Sequence, residues 1–310
     1  MDETDIEISK MLLMNSRVPY REIAEALKLS INSVHKRIKN MMESGIIQKF
    51  VTKLGAGHIT FINLMLFGNS GVKDIEKGIS DLGINENIYN VTHSSGNLIF
   101  IHAQIRDINE LDTLVSFVRM VGKIDELTVG ICKFDIPCDL RELNLDNIVL
   151  SKLDYQIIES LRENSRKLIS EIAEEIGTST KTIRRHLDRL IKNLILQFSI
   201  DWYPDKSNDI FSMLRIQLNP KRQRENEILL EDFRRQYGQR IVYIWQFSNL
   251  PNLIVICVWT NTMKELQNIT SSLTSEDYES VNVNVLVSGK NFPTWQDTYL
   301  DTKIKEFRET

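Results

Sequence analysis

The sequence predicts an α+β fold in which two small helical units, each closed by a strand, alternate with two βαββαβ sandwiches. Three observations carry this. First, the stretch Asp5 to Gln48 recurs without a gap at Asp154 to Gln197, a shift of 149 positions (154 − 5). Thirteen of the 44 paired positions are identical: Asp5, Ile8, Leu12, Asn15, Ser16, Arg17, Glu22, Ile23, Ala24, Glu25, Ser30, Ile46 and Gln48, each with its partner 149 later. Second, apolar residues inside each copy recur at helical spacing. Third, the segment after each copy changes to strands and helices in one shared order. A gapless match marks a duplicated folded unit, and a domain-sized period means tandem duplication rather than a solenoid.

Each element of the repeated unit has a local reason. Asp5 to Met14 carries Ile8, Met11 and Leu12 on one helical face. Asn15-Ser16-Arg17 stops that helix, because Asn tolerates a left-handed residue at a helix end. Pro19 sits where a second helix begins, which suits its fixed φ and missing N–H. Glu22 to Leu27 is a short helix with Ile23 and Leu27 on one face, and Lys28-Leu29 makes a turn. Ser30 is the expected N-cap of a third helix. That helix buries Val34, Ile38 and Met41, ends at Gly45, and leads into the β-rich Ile46 to Val51.

Two helices joined by a tight turn, the second capped by Ser and basic outside, form a helix-turn-helix, and the following strand supplies a wing. A capped helix offers its first N–H groups to phosphate. Its outer face fits the major groove, where Asn suits adenine and Arg suits guanine. The candidate DNA-contacting residues are therefore Ser30, Asn32, Ser33, His35, Lys36, Arg37 and Lys39 in the first copy, and Ser179, Lys181, Thr182, Arg184, Arg185 and Arg189 in the second. Local charge agrees. Ser30 to Lys49 carries Lys36, Arg37, Lys39 and Lys49 against Glu43, and Ser179 to Phe198 carries Lys181, Arg184, Arg185, Arg189 and Lys192 against Asp188. The bland alternative is a pair of solvated helical faces.

After the first copy come strand Ile59 to Phe67, helix Val72 to Leu82, strand Asn87 to Thr92, strand Leu98 to Ile105, helix Ile108 to Val121 and strand Glu126 to Phe134. After the second come Phe211 to Leu218, Glu225 to Tyr237, Arg240 to Phe247, Leu253 to Thr260, Met263 to Leu273 and Ser280 to Val287. The order βαββαβ is ferredoxin-like. One such module leaves a sheet face or edge uncovered, and two in one chain can cover each other as a pseudo-dimer.

The series Asp5, Ile8, Asn15, Ser16, Arg17, Glu22, Ile23, Ala24, Ser30, Arg37, Ile38, Gly45, Ile46 and Ile47 resembles the N-terminal domain of the Lrp/AsnC (feast/famine) regulators. The second copy departs from it with His186 in place of Arg37 and Leu194 in place of Gly45. The resemblance implies a sequence-specific DNA-binding transcription regulator, with RAM-type αβ modules that dimerise and bind an amino-acid-like small-molecule effector. The implied domains are winged helix-turn-helix units at 1–54 and 151–202, ferredoxin-like RAM-type modules at 55–137 and 203–290, a linker at 138–150 and a C-terminal tail at 291–310. In the family the turn between the second and third strands carries a Gly followed by an Asp, close to the ligand. Here the first turn reads Thr92-His93-Ser94-Ser95-Gly96-Asn97 and keeps only the Gly, so Ser95, Gly96 and Asn97 are the effector-site candidates. The second turn, Phe247 to Asn252, has neither. Double-stranded DNA is the expected macromolecular partner, and whole chains are expected to associate through the αβ modules.

Two other readings stay open. The sirohaem decarboxylases resemble Lrp/AsnC proteins and use His and Arg around a tetrapyrrole, and a scaffold or ligand sensor could have lost DNA binding. No catalytic constellation is legible. There is no P-loop or G-x-G-x-x-G, so no nucleotide cofactor is expected. His35, His58, His93, His102 and His186 lack metal-ligand spacing, so no metal is expected either. His35 and His186 fall on the third helices and read as DNA-facing, and His93 and His102 as strand residues. The three Cys (Cys132, Cys138, Cys257) read as reduced core thiols. A composition of 26% charged and 42% hydrophobic residues with net charge −4 is globular, and excludes a non-specific nucleic-acid coat but not a local basic site. No apolar run approaches the roughly 18 residues of a membrane helix, and no signal-peptide pattern opens the chain. The expectation is a cytoplasmic protein. Ile304 and Phe307 stand at helical spacing in a tail expected to fray at its end.

Overall fold

The computed structural model describes residues 1–55, 57–133, 149–220, 226–274 and 278–308. In chain order the elements are α1 (Glu3–Met14), α2 (Tyr20–Leu27), α3 (Ile31–Glu43), β1 (Ile47–Leu54), β2 (Ile62–Asn69), α4 (Ile75–Leu82), β3 (Ile88–Ser94), β4 (Leu98–Ile105), α5 (Leu111–Gly122) and β5 (Thr128–Ile131). The second half gives α6 (Lys152–Arg162), α7 (Ile169–Ile176), α8 (Thr180–Lys192), β6 (Leu196–Trp202), β7 (Ile210–Leu218), α9 (Asn226–Tyr237), β8 (Ile241–Gln246), β9 (Leu253–Thr260), α10 (Met263–Thr274), β10 (Tyr278–Asn291) and α11 (Trp295–Arg308). The linker expected at 138–150 lies, up to residue 148, outside the described residues, as does Cys138.

The chain forms two compact units, and each takes one part from each repeat. An αβ unit gathers Met1–Ile6, Ile62–Phe134 and Pro204–Phe292; a helical unit gathers Glu7–Phe61, Asp135–Tyr203 and Pro293–Thr310. The fold is thus an internally duplicated α+β protein, with helix-turn-helix and ferredoxin-like parts alternating along the sequence.

In the αβ unit the strand order is β5-β2-β4-β3-β10-β7-β9-β8. Numbered within each module this is 4-1-3-2 twice, the ferredoxin-like order. Alternate residues face the helices. Leu64, Leu66, Ile99 and Ile101 pack on Ile79, Leu82, Leu114 and Val118 in the first module. Leu214, Ile216, Ile254 and Ile256 pack on Leu229, Phe233, Leu266 and Ile269 in the second. The intervening residues Met65, Phe67, Phe100, Met213, Val255 and Trp259 are buried too. Strands covered on both faces read as continuous apolar runs, which is how β4 and β9 look.

What covers the second face is the other module. β3 of the first joins β10 of the second from Leu286↔Ser94 to Asn291↔Asn90. The opposite edges meet through a Cys132↔Phe247 bridge, with Lys133 N donating to Gln246 O at 2.8 Å and Ser248 N to Ile131 O at 2.9 Å. Among the described residues the strands therefore close on themselves and leave no long open edge. Side chains of strands that are not neighbours meet across the interior: the His102 ring on β4 lies 5.4 Å from Trp245 on β8 and 5.8 Å from Tyr89. Burial lowers the His102 pKa to about 4, and burial pushes the Cys132 and Cys257 thiols up to about 12.

One expectation is corrected. β10 runs well past the expected Ser280 to Val287, because its first half pairs with β7 and its second half with β3. In the C-terminal tail the helical spacing at Ile304 matches a helix, α11, with Leu300 and Ile304 buried among Leu161, Leu187 and Leu196. Arg162 on α6 holds α11 through Asp297 at 3.1 Å and through Asp301. The Phe307 side chain lies outside the described residues.

Candidate nucleic-acid interface

In the helical unit each third helix starts as its sequence demands. Ser30 adopts extended backbone and accepts from Ser33 N, and Ser179 accepts from Thr182 N. The Thr182 hydroxyl joins that cap, 2.9 Å from Ser179 Oγ. Val34, Ile38 and Met41 of α3 are buried, as are Ile183, Leu187 and Leu190 of α8. That packing turns the other face of each helix outward. Asn32, His35, Lys36 and Lys39 are exposed and Ser33 and Arg37 half-buried; Lys181, Arg184, Arg185 and Arg189 are exposed. Gly45 takes φ +76 after α3, and Leu194 takes φ +52 at the equivalent place, so the second copy makes the same left-handed exit without glycine.

The two faces differ in charge. Positions 149 apart set Asn32 against Lys181, His35 against Arg184 and Lys36 against Arg185. Among the described residues Lys36, Lys181, Arg184 and Arg185 have no acidic partner. Lys39 lies 3.6 Å from Glu43, and Lys49 pairs with Glu163 at 2.5 Å. The first copy therefore offers one unpaired lysine where the second offers three unpaired cations.

Arg189 is exposed but committed. Its guanidinium pairs with the fully buried Asp154, which also takes a 2.8 Å contact from His186 Nδ1 and a 2.6 Å hydrogen bond from the Ser151 hydroxyl. His186, read as DNA-facing, instead points into its own helical bundle. Burial alone would raise the Asp154 pKa; the hydrogen bonds from Arg189, Ser151 and His186 outweigh it and hold the group at about 2. This knot ties α8 to α6.

The Asn-Ser-Arg motif does more than stop a helix. Ser16 Oγ and Ser165 Oγ, repeat partners, lie 2.5 Å apart. Arg17 Nη1 donates to Ser165 O and, at 3.1 Å, to Lys167 O. Arg166 Nη1 donates to Ser16 O at 2.5 Å and Val18 O at 3.0 Å. Since Val18 and Lys167 are also repeat partners, the contact is isologous: the same residues serve both sides, as two-fold symmetry requires. Burial lowers the pKa of both guanidinium groups, and for Arg17 the Arg166 charge adds to it. The Arg166 guanidinium sits 4.1 Å from the centre of the Tyr20 ring, which is edge-on to His35 at 5.8 Å.

The strands after the third helices take each other as partners. β1 pairs antiparallel with β6, Phe50 opposite Ile200 and Val51 opposite Ser199. Ser199 and Ile200 are the repeat partners of Phe50 and Val51, so the ladder is centred on the same pseudo-two-fold axis. Beyond it Gly55 N donates to Ile195 O at 2.8 Å. A Cβ on Gly55 would stand 2.2 Å from Leu194 O, so the crossing requires glycine.

In the αβ unit Ser95–Asn97 forms a short 3₁₀ turn with Gly96 at φ +72. Nothing lies within 4 Å of a Cβ placed on Gly96, so glycine is there for its φ and not for close approach. Ser95 Oγ accepts from Val285 N at 3.1 Å, which rests the turn on β10.

A winged helix-turn-helix DNA-binding family model matches residues 1–48 and 150–193. An uncharacterized HTH-type transcriptional regulator of Pyrococcus abyssi is 28% identical over 145 residues, 46% of this chain and 97% of that protein. The regulatory protein AsnC of Haemophilus influenzae is 30% identical over 133 residues, 41% of this chain and 85% of AsnC. Each of these relatives thus corresponds to about one half of the duplicated chain. Among solved structures, the siroheme decarboxylase NirDL aligns over 100% of both chains with a TM-score of 0.58 and 10% identity. At that identity the likeness is one of fold alone.

Proposed function

Because the chain belongs to the Lrp/AsnC family of transcription regulators, we propose that its helical unit binds double-stranded DNA sequence-specifically through α3 and α8. One observation carries the reading: two Ser-capped helices, paired about a pseudo-two-fold axis, keep exposed basic faces that the protein's own acids do not neutralise. N-terminal N–H groups at Ser30 and Ser179 meet phosphate. Lys36, Lys39, Lys181 and Arg185 contact the backbone or bases, and Asn32 and Arg184 read base edges. Because the outward residues differ, the two half-sites are not a strict palindrome. Their centres lie near multiples of one turn, about 10 base pairs. A small-molecule effector acts on the αβ unit, and whole chains associate through surfaces other than the sheet edges, which the chain already pairs.

We read the chain as a regulator and not an enzyme, because a decarboxylase has no use for two unneutralised helix faces. The test is recovery of bound genomic DNA by wild-type protein, by Lys36→Glu and by Arg185→Glu. Enrichment of a common asymmetric motif, lost in the variants, is expected. Indifference to both reversals sinks the reading in favour of a scaffold. A visible Soret shift on adding an iron porphyrin would favour the enzyme.

A further inference from the structure

We propose that the αβ unit binds a small organic-acid anion without a charged amine, in a cleft of about 390 Å³ lined in part by Arg215. The proposal rests on the effector-responsive reading above and gives the effector a chemical class and a site away from Ser95, Gly96 and Asn97. Phe67 and Thr128 of the first module and Arg215, Gln217, Asn252 and Asn282 of the second line the cleft.

Arg215 breaks the internal symmetry. It pairs with Val255, the third residue of β9, as Phe67 pairs with Phe100, the third residue of β4. The duplicated sheet therefore puts a cation and an aromatic ring at one symmetric position. The two meet, with the guanidinium 5.4 Å from the Phe67 ring centre.

The guanidinium lacks what a buried cation needs. Among the described residues no carboxylate lines the cleft and none pairs with Arg215. Its Nε is buried without an acceptor. Desolvation lowers its pKa. A half-buried, unpaired guanidinium is unfavourable until an anion arrives, and its planar fork fits one carboxylate through two parallel hydrogen bonds.

The rest of the wall sets the ligand's other end. Asn249 is fully used: its amide donates to Val129 O at 2.8 Å and its oxygen accepts from Ile131 N at 2.8 Å, fixing the turn against β5. Gln217, Asn252 and Asn282 are neutral and suit a carbonyl or hydroxyl. An α-ammonium would find no carboxylate here and would be repelled by Arg215. The cleft therefore separates a 2-oxo or 2-hydroxy acid from the amino acid of the same skeleton.

The test is calorimetric titration of the full chain with matched pairs, 4-methyl-2-oxopentanoate against leucine and 2-oxoglutarate against glutamate, with sulfate as an inorganic control. At least one 2-oxo acid should bind about tenfold tighter than its amino acid. Arg215→Gln should weaken it about tenfold or more, and Gln217→Glu, which sets a carboxylate beside Arg215, should do the same in a protein that keeps the cation. Equal binding of an amino acid, binding by sulfate alone, binding indifferent to both variants, or no anion binding at about 10 mM each overturns the proposal. DNA binding of the same ligand-free preparations is read in parallel. DNA binding without anion binding removes only this site, whereas anion binding without DNA binding removes only the regulator reading.

Discussion

The two helix-turn-helix heads share a backbone and differ in how they use charge. The first sets Asn32, His35 and Lys36 outward; the second sets Lys181, Arg184 and Arg185 at the same positions. The second head also keeps a buried acid, Asp154, under Arg189 and His186. At the corresponding positions the first head has the half-buried Asp5 with Asn40 and Arg37. Duplication gave both heads one fold, and divergence then changed the charge of their outward faces. One head exposes an amide, an imidazole and a lysine, while the other exposes three cations and keeps a buried, ion-paired carboxylate under its third helix.

That difference can be broken directly. The largest effect is expected from reversing the second face: Arg184→Glu with Arg185→Glu should weaken DNA binding by about a hundredfold at moderate salt, from lost counterion release and new repulsion. His35→Glu with Lys36→Glu should cost about tenfold. Fluorescence anisotropy on a recovered site measures both, and equal losses would erase the distinction between the heads.

Asp154→Asn should destabilise the helical unit by about 2 kcal/mol near neutral pH, read by denaturant unfolding followed at α-helical signal. Asp5→Asn should cost less, because that carboxylate is not fully buried. The folded-state Asp154 pKa, about 2, lies below the ordinary aspartate value of 3.8. The unfolded chain therefore binds the proton first on acidification. The stabilisation is complete above about pH 4 and is lost as pH falls towards 2, and the Asn variant should lack that loss.

A smaller change sharpens the comparison of the helix exits. Gly45→Ala should cost about 1 kcal/mol, because φ +76 suits glycine. The second head already tolerates Leu194 at φ +52, so Leu194→Ala should add no further backbone strain. Thermal unfolding of the two variants checks it. Smallest of all, Lys36→Ala should reduce the slope of log affinity against log salt by about one unit. An unchanged slope removes Lys36 from the phosphate contacts.

Much of the helical unit could be read from the residues, because its determinants are local. Ser30 and Ser179 announce caps, and the Val34, Ile38, Met41 spacing announces a buried face. His186 could not be read that way: its partner Asp154 lies 32 positions earlier, and only tertiary packing tells whether a polar residue on a helix flank turns outward or inward. The signal that would have found the Ser16–Ser165 contact was present in the identity of Asn-Ser-Arg in both copies, read there as a helix stop. Arg215 gave no signal, since an arginine in a strand is common and its lack of an acidic partner is a property of every strand around it.

The sequence by itself determined the duplication, the element types and the location of the basic helix faces, because caps, spacing and turn residues act within a few positions of themselves. Only the tertiary structure decided that matching parts of the two repeats pair with each other, where α11 docks, and that the half-buried Arg215 has no acid beside it among the described residues. Those outcomes depend on which surfaces meet across more than a hundred residues, and burial and hydrogen bonding between distant segments leave no periodic trace in the chain.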